Sequence, residues 1–364
     1  MLAMVSSSVF MVAALLALWI AYFAMLDVDV FASLVTALIP SSPKHFQGQV
    51  IWIVGASSGI GAQLARDLVK EGAQVIISAR REKELQEVAT SCLLQEEGVH
   101  SKEKIKLLPP LVLPFDITDF EAQAAMLKQI LDTFGHIDSL VLSSGRSQRS
   151  LAENFSISST KELFELNVFS FINLATLIVP HMIQAKKGQI VVLSSVSGKI
   201  PTPISSSYSS TKYALHGYFD ALRTEVAQFG IHILMVCPGP VVSEITTHAM
   251  KSSSVQTVVA ESEGKKMPTE RCTALMVKGM KYKDLISEIW ISDQPILFLT
   301  YLSAYLPWLN RLLFTKVLHP SIGLLFFEIH FIYILSDTCT ECLLGFVVNW
   351  AFQKECTGEG HKRL

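Results

Sequence analysis

Short runs of β-branched and aliphatic residues recur along this chain, each followed by glycine, proline, serine or aspartate and then by helical spacing. The clearest are "VIWIV" (Val50 to Val54), "QVIIS" (Gln74 to Ser78), "LVLPFD" ending at Asp116, and "SLVLSS" (Ser139 to Ser144). "QIVVLSS" (Gln189 to Ser195) and "IHILMVCPG" (Ile231 to Gly239) follow, and "EIWIS" (Glu288 to Ser292) reads as the last. After the first run, Ile60, Leu64 and Leu68 recur every four residues, one stripe of a helix. Strands that are apolar throughout, rather than in alternation, are buried on both faces. Alternating β and α elements of this kind build a parallel sheet with helices on both sides, and right-handed crossovers wind it doubly. The expected class is α/β, and ligands of such sheets bind beyond the carboxyl ends of the strands.

The first strand runs straight into "GASSGIG", with Gly55, Gly59 and Gly61 at the turn and at the opening of the first helix. Glycine there permits a tight turn and lets backbone N–H groups approach a pyrophosphate, to which the helix N-terminus adds partial positive charge. The spacing is G-x-x-x-G-x-G, in the strand–turn–helix context that gives such a cluster meaning. The second strand ends in "SARR". An NAD site places an acidic residue at that point, whereas Arg80 and Arg81 suit a 2′-phosphate and so favour NADP(H). Asp116, closing the third strand, is placed to meet the adenine end.

Tyr208 and Lys212 stand four residues apart and share a face on a helix. Ser205 to Ser207 suit its entry and cap, and Leu215, Phe219, Leu222 and Val226 continue its apolar stripe. A free phenol, with a pKa of about 10, is a poor acid–base group near neutrality. An ammonium one turn away favours the phenolate and makes it available. Ser195, thirteen residues earlier at a strand end, could hydrogen-bond a carbonyl oxygen, and Asn167 in "FELNVFSF" could hold a relay water. Each residue alone is ordinary; their joint spacing carries the weight.

Half of the residues are hydrophobic and 17% are charged, which leans away from an ordinary soluble domain. A net charge of -2 leaves no basic field for nucleic acid. No charged side chain appears from Met1 to Leu26, and Val9 to Leu26 is long enough to cross a bilayer as a helix. A cleaved signal peptide is the competing reading, but the missing basic n-region and the crowding of Trp19, Tyr22 and Phe23 favour a retained anchor. "VFASLVTALIP" (Val30 to Pro40) is too short to span, and is expected to lie on the membrane or pack on the domain. The same two settings suit the hydrophobic run Pro295 to Leu309. Ile322 to Leu335 is a weak candidate for a second span, interrupted by Glu328 and His330. Cys339 and Cys342 form a lone C-x-x-C pair with no partner pair to complete a zinc site, so no metal is expected.

Over roughly Phe46 to Ser292 the sequence resembles the short-chain dehydrogenase/reductase family. The resemblance rests on "GASSGIG", "DIT" (Asp116 to Thr118), Asn167, "SSVSG" with Ser195, "YSSTK" and "CPGPVVS" (Cys237 to Ser243). "SQRSL" (Ser147 to Leu151), "PHMI", "RCTALM" and "WISDQP" narrow it toward membrane-anchored relatives of the steroid and retinoid reductases. It implies a Rossmann-like fold; with the N-terminal anchor helix read above, the chain divides as 1–45 anchor and linker, 46–316 catalytic domain and 317–364 apolar tail, the tail having no counterpart in the family. It implies Tyr208 as proton donor, Ser195 orienting the carbonyl, Lys212 also binding the nicotinamide ribose, and Asn167 supporting a proton relay. Gly55, Ser57, Ser58, Gly59, Ile60, Gly61, Arg80, Arg81, Asp116, Ile117, Val241 and Ser243 would line the NADP(H) site. A substrate loop would run from about Ser243 to Met267.

The activity implied is a membrane-bound NADPH-dependent carbonyl reductase, or alcohol dehydrogenase in reverse, acting on lipophilic substrates such as steroids or retinoids. A homodimer through the Tyr208 helix and residence in the endoplasmic reticulum go with it. Where the family carries Asn-Asn-Ala-Gly, this chain has Leu142, Ser143, Ser144 and Gly145. That departure supports the rival reading, a noncatalytic dinucleotide-binding membrane scaffold or sensor. The full Ser–Tyr–Lys–Asn set opposes it.

Overall fold

In the computed structural model of the protein, residues 20–40, 45–94, 108–245, 249–251 and 266–317 are described. The central strands β1, β4, β6 and β7 are almost entirely buried, for the reason anticipated: they are covered on both sides. Among the described residues the chain runs α1 (Val30–Leu38), β1 (Val50–Val54), α2 (Gly59–Lys70), β2 (Gln74–Ser78), α3 (Glu82–Leu94), β3 (Leu111–Val112), α4 (Phe120–Phe134) and β4 (Ser139–Leu142). It continues with β5 (Gln148–Arg149), α5 (Ile157–Phe164), a π-helical turn (Glu165–Phe169), α6 (Ser170–Ala185), β6 (Gly188–Leu193), α7 (Ser206–Val226) and β7 (Ile231–Pro238). The last elements are β8 (Met250–Lys251), α8 (Thr269–Lys281), β9 (Glu288–Ile291), α9 (Ile296–Tyr305) and α10 (Pro307–Leu312).

Seven of these strands form one parallel sheet in the order β3-β2-β1-β4-β6-β7-β9. The order reverses between β1 and β4, the switch point at which such sheets open a crevice. One face buries Leu64, Leu68 and Val69 of α2 with Leu275 and Met276 of α8. The other buries Phe171, Leu174 and Ile178 of α6 with Leu215 and Phe219 of α7. Each such side chain contributes roughly 1.5–3 kcal/mol relative to exposure.

Several strands end earlier than the runs quoted for them, β4 at Leu142 among them. β3 stops at Val112 because Pro114 has no N–H to donate, though Leu113 N and Phe115 N still reach Ile77 O and Ala79 O. β6 stops at Leu193, which leaves Ser194 and Ser195 just beyond the sheet. The chain splits into units Met1–Arg311 and Leu312–Leu364. In the second, Leu313–Val317 is a π-helical turn, and the rest of the apolar tail, with Cys339 and Cys342, lies outside the described residues.

Most of the expected anchor also lies outside them; residues 20–25, its end, are helical. Val30 to Pro40 packs on the domain. Asp29 caps α1 by accepting from Ala32 N at 2.9 Å, Val28 bridges Ile291 of β9, and Ala32 and Val35 enter the core. Phe31, Leu34, Leu38 and Ile39 stay exposed. The continuous helix Ile157–Ala185 is long and apolar enough to cross a membrane. Its buried Leu163, Phe171, Leu174, Ile178 and Met182 instead make it a core helix of the sheet.

Glu288 ties the β9 edge to the loop after β6. Its Oε1 lies 2.8 Å from Lys199 Nζ, its Oε2 lies 3.5 Å from His216 Nδ1, and Trp290 Nε1 donates to it. Burial pushes this carboxyl up, but His216 and the bonds and charge of Lys199 outweigh it and hold it at about 2. The stability it contributes is therefore present above the ordinary carboxylate range, about 4.3, and lost as pH falls toward 2. In denaturant titrations the wild type should be more stable than Glu288→Gln at neutral pH. That gap should close as pH is lowered from about 4.3.

Candidate active site

The cleft at the switch point begins with backbone geometry that only glycine permits. Gly55 has φ of 98°, and a Cβ there would lie 2.4 Å from Ser144 N; a Cβ at Gly61 would lie 2.3 Å from Gly55 O. The first turn of α2 thus packs against the ends of β1 and β4. A cavity of about 400 Å³ opens in front of it, lined by Gly55, Ser57, Ser58, Gly59, Ile60 and Gly61 on one side. Arg80, Arg81, Ile117, Ser143, Gly145 and Ser243 line the rest. Ser58 makes no side-chain cap bond to its own helix. Its Oγ and that of Ser57 instead accept from Arg81 Nη2 at 2.9 and 3.1 Å. Arg81 also meets Glu244 at 3.3 Å, and Arg80 lies 3.6 Å from Asp116. Asp116 accepts from Thr118 N at 2.9 Å, which fixes the turn after β3. Val241 is buried beside the cleft and is not one of its lining residues.

The departure at Leu142–Gly145 is locally repaired. Ser143 Oγ donates to Val54 O at 2.9 Å and so ties β4 to β1 by side chain as well as by backbone. Asn167 brackets the next residue: its Oδ1 accepts from Arg146 N at 3.0 Å and its Nδ2 donates to Arg146 O at 2.9 Å. It also reaches Thr211 Oγ1 on α7 at 3.2 Å. Asn167 sits in the π-helical turn, fully buried. A turn of this kind is frequent at functional sites.

Tyr208 and Lys212 emerge on the buried side of α7. Lys212 Nζ donates to Leu193 O at 2.9 Å and lies 5.6 Å from the Tyr208 ring. Burial pushes its ammonium down to about 8. Gly145 lies between Lys212 and Asn167: a Cβ there would sit 3.1 Å from Asn167 Oδ1 and 4.0 Å from Lys212 Nζ. Ser195, just past β6, accepts from Ser197 N at 3.1 Å. Burial pushes the Tyr208 phenol up, while contact with the Ser195 hydroxyl and the charge of Arg149 pull it back. None of the four residues singled out from spacing lines the cavity itself: Asn167 and Lys212 meet it at Gly145, and Lys212 also at Leu193, while Tyr208 and Ser195 lie behind them.

Three further residues were not legible as functional. Gln148 and Arg149 form a two-residue strand too short to show any period, paired in parallel with Met250 and Lys251. Gln148 Oε1 accepts from Ser207 N and Tyr208 N at 2.7 and 3.1 Å, capping α7 from outside. Thr211 gave no signal beyond its place in "YSSTK". No group of His, Cys, Asp and Glu that could hold a metal occurs among the described residues.

An elongated anion suits this cleft: the first N–H groups of α2 open into it, a Cβ would fill its backbone cradle, and two guanidinium groups, each beside a carboxylate, stand at one end. Comparison with known proteins gives the cleft its context. Residues 49–254 match the short chain dehydrogenase family. The human protein named dehydrogenase/reductase SDR family member 7 is 43% identical over 260 residues, covering 71% of this chain and 74% of that one. Its mouse counterpart is 42% identical over 267 residues, covering 72% and 76%. The fold aligns with a short-chain dehydrogenase from Streptomyces avermitilis at a TM-score of 0.61 and 25% identity, covering 74% of this chain and 98% of that one. A metagenomic short-chain oxidoreductase solved with NADP shares the fold at a TM-score of 0.54 and 24% identity, covering 68% and 98%. By sequence, sheet order and cleft, this chain belongs to the short-chain dehydrogenase/reductase family of oxidoreductases.

Proposed function

We propose that the protein is a membrane-bound, NADPH-dependent carbonyl reductase, running as an alcohol dehydrogenase in reverse, for lipophilic substrates such as steroids and retinoids. The observation that carries this reading is the buried Tyr208 phenol beside the Ser195 hydroxyl, with Lys212 and Asn167 on either side of Gly145. The relatives named dehydrogenase/reductase agree with it. The glycine turn, Ser57, Ser58, Arg80 and Arg81 would hold the phosphates of the dinucleotide, with Asp116 and Ile117 at its adenine end, Val241 and Ser243 across the cleft, and Lys212 at its nicotinamide ribose. The bound cofactor supplies the hydride. Ser195 holds the carbonyl oxygen by a hydrogen bond, and Tyr208 Oη gives that oxygen its proton. Lys212 then restores the phenol, drawing on a relay held by Asn167.

A catalytic domain of 46–316, between an anchor and linker of 1–45 and a tail of 317–364, goes with this reading, as does a homodimer through α7. Support for the membrane comes from exposed apolar side chains. Phe31, Leu38 and Ile39 of the α1 region are exposed, and so are Met25 at the end of the anchor run and Tyr305 and Trp308 near α10. The two parts are joined: the Phe23 ring packs edge-on against Tyr301 at 5.3 Å, and Tyr301 Oη accepts from Val30 N at 2.7 Å. An endoplasmic reticulum membrane is the compartment we expect. Asn154, in the sequon Asn154-Phe-Ser156, is exposed and open to glycosylation should the domain face the lumen.

The full chain with NADPH and a panel of retinaldehydes and ketosteroids tests the reading. Tyr208→Phe should lower turnover by about 10²–10⁴-fold while NADPH binding, followed by cofactor fluorescence, is kept. Wild-type protein that reduces no carbonyl on the panel would sink it. Arg81→Ala should weaken NADPH binding by roughly tenfold and leave NADH binding unchanged, because a charge-assisted bond to a phosphate is worth about that much. Equal losses for both cofactors would remove the argument for NADP(H). On a density gradient the full chain should float with phosphatidylcholine vesicles even at high salt, since the anchor run carries no charge to be screened. Recovery at the bottom of the gradient would overturn membrane attachment.

A further inference from the structure

The Ser147–Leu151 segment takes no part in the chemistry described so far, yet it is bound to the start of the Tyr208 helix. Arg149 Nη1 donates to Ser205 Oγ at 2.5 Å, and Ser205 is the N-cap of α7. Ser205 Oγ in turn donates to Gln148 O at 3.1 Å, and Arg149 Nη1 reaches the same carbonyl at 3.4 Å. Gln148 Oε1 accepts from the N–H of Tyr208 itself. Ser150 N donates to Ile204 O at 2.9 Å, which fixes the segment on its other side. The guanidinium is thus held against the first turn of the helix, where Tyr208 is the third residue.

This placement is electrostatically unfavourable. A helix N-terminus carries partial positive charge, and cations are disfavoured there. Burial adds a desolvation cost, which lowers the hold of Arg149 on its proton. Among the described residues no carboxylate forms an ion pair with Arg149; its bonds go to Ser205 and Gln148, and Tyr208, three residues past Ser205, is the titratable group of that first helical turn. A buried cation in this position is stabilised when an anion forms beside it. In the proposed reaction the group that becomes anionic there is the tyrosine, once its proton has left.

The other groups facing Tyr208 leave room for this role. Ser195, beyond β6, is a neutral donor. Lys212, on α7, has its ammonium bonded to Leu193 O, and burial lets it go neutral above about 8. Cys237, on β7, acts on Lys212, and its thiol is pushed well up by burial and so stays neutral. A guanidinium keeps its charge across this range. We propose that Arg149 is a positioning residue that stabilises the Tyr208 phenolate left by proton donation, from across the first turn of the helix. The proposal rests on the reading of Tyr208 as proton donor.

The ultraviolet titration of tyrosinate in the full chain tests it without any substrate. Subtracting the Tyr208→Phe titration from the wild type isolates the ionisation of Tyr208, and the same subtraction is made in an Arg149→Met background. Loss of the charge should raise the midpoint by about one pH unit or more, a tenfold loss of phenolate at a given pH. Arg149→Lys, which keeps the charge, should raise it less. A midpoint in Arg149→Met equal to that of the wild type would overturn the proposal and leave Arg149 a purely structural tie. Should Arg149→Met fail to fold, Arg149→Gln removes the charge while keeping a donor for Ser205 Oγ. A raised midpoint there supports the proposal, and an unmoved one overturns it. Because the titration needs no turnover, a chain inactive on every carbonyl would sink the proposed function while leaving this result readable.

Discussion

The site depends on one backbone contact. β1 and β4 end side by side, and the chain leaving β1 comes so close to Ser144 that Gly55 has no room for a Cβ. That approach turns the chain at the switch point, aims the α2 N-terminus into the crevice, and sets where Ser143 and Gly145 stand. Gly145 then lies between Asn167 and Lys212, so the placement of these two buried side chains follows from the same contact. Ser143 shows how such a contact withstands a change of sequence. Its hydroxyl reaches the Val54 carbonyl and joins β4 to β1.

Burial is the second common cause. Tyr208, Lys212 and Asn167 are all withdrawn from solvent, and each is shifted or held by what replaces water. Asn167 is satisfied by backbone and threonine and Lys212 by a carbonyl, while burial pushes the Tyr208 phenol up. A site built this way holds its geometry without a ligand, which is the condition for electrostatic help at the moment charge moves.

Much of this was legible in the sequence, and the reasons are local. The strands of a parallel sheet are apolar throughout, and each announces itself without reference to its neighbours. Tyr208 and Lys212 are legible because a helix puts residues four apart on one face. Arg149 was hidden because its meaning comes from a hydroxyl more than fifty residues away and from a strand only two residues long. α1 was half legible: its apolar run was clear, but only the bridge from Val28 to Ile291 decides that it rests on the sheet edge. Pro114 shows the reverse case, a residue in plain view whose effect on β3 follows from its missing N–H.

The π-helical turn at Glu165–Phe169 has a consequence for how this helix can change over time. One extra residue there lets α5 and α6 run as a single rod while each keeps its own apolar stripe toward the core. Deleting a residue from that turn would rotate one half of the rod against the other by about 100°. Phe171, Leu174 and Ile178 would then leave the sheet, or Leu163 would. The length of this helix is therefore locked in phase, and variation between its ends is confined to exchange of side chains at a fixed count.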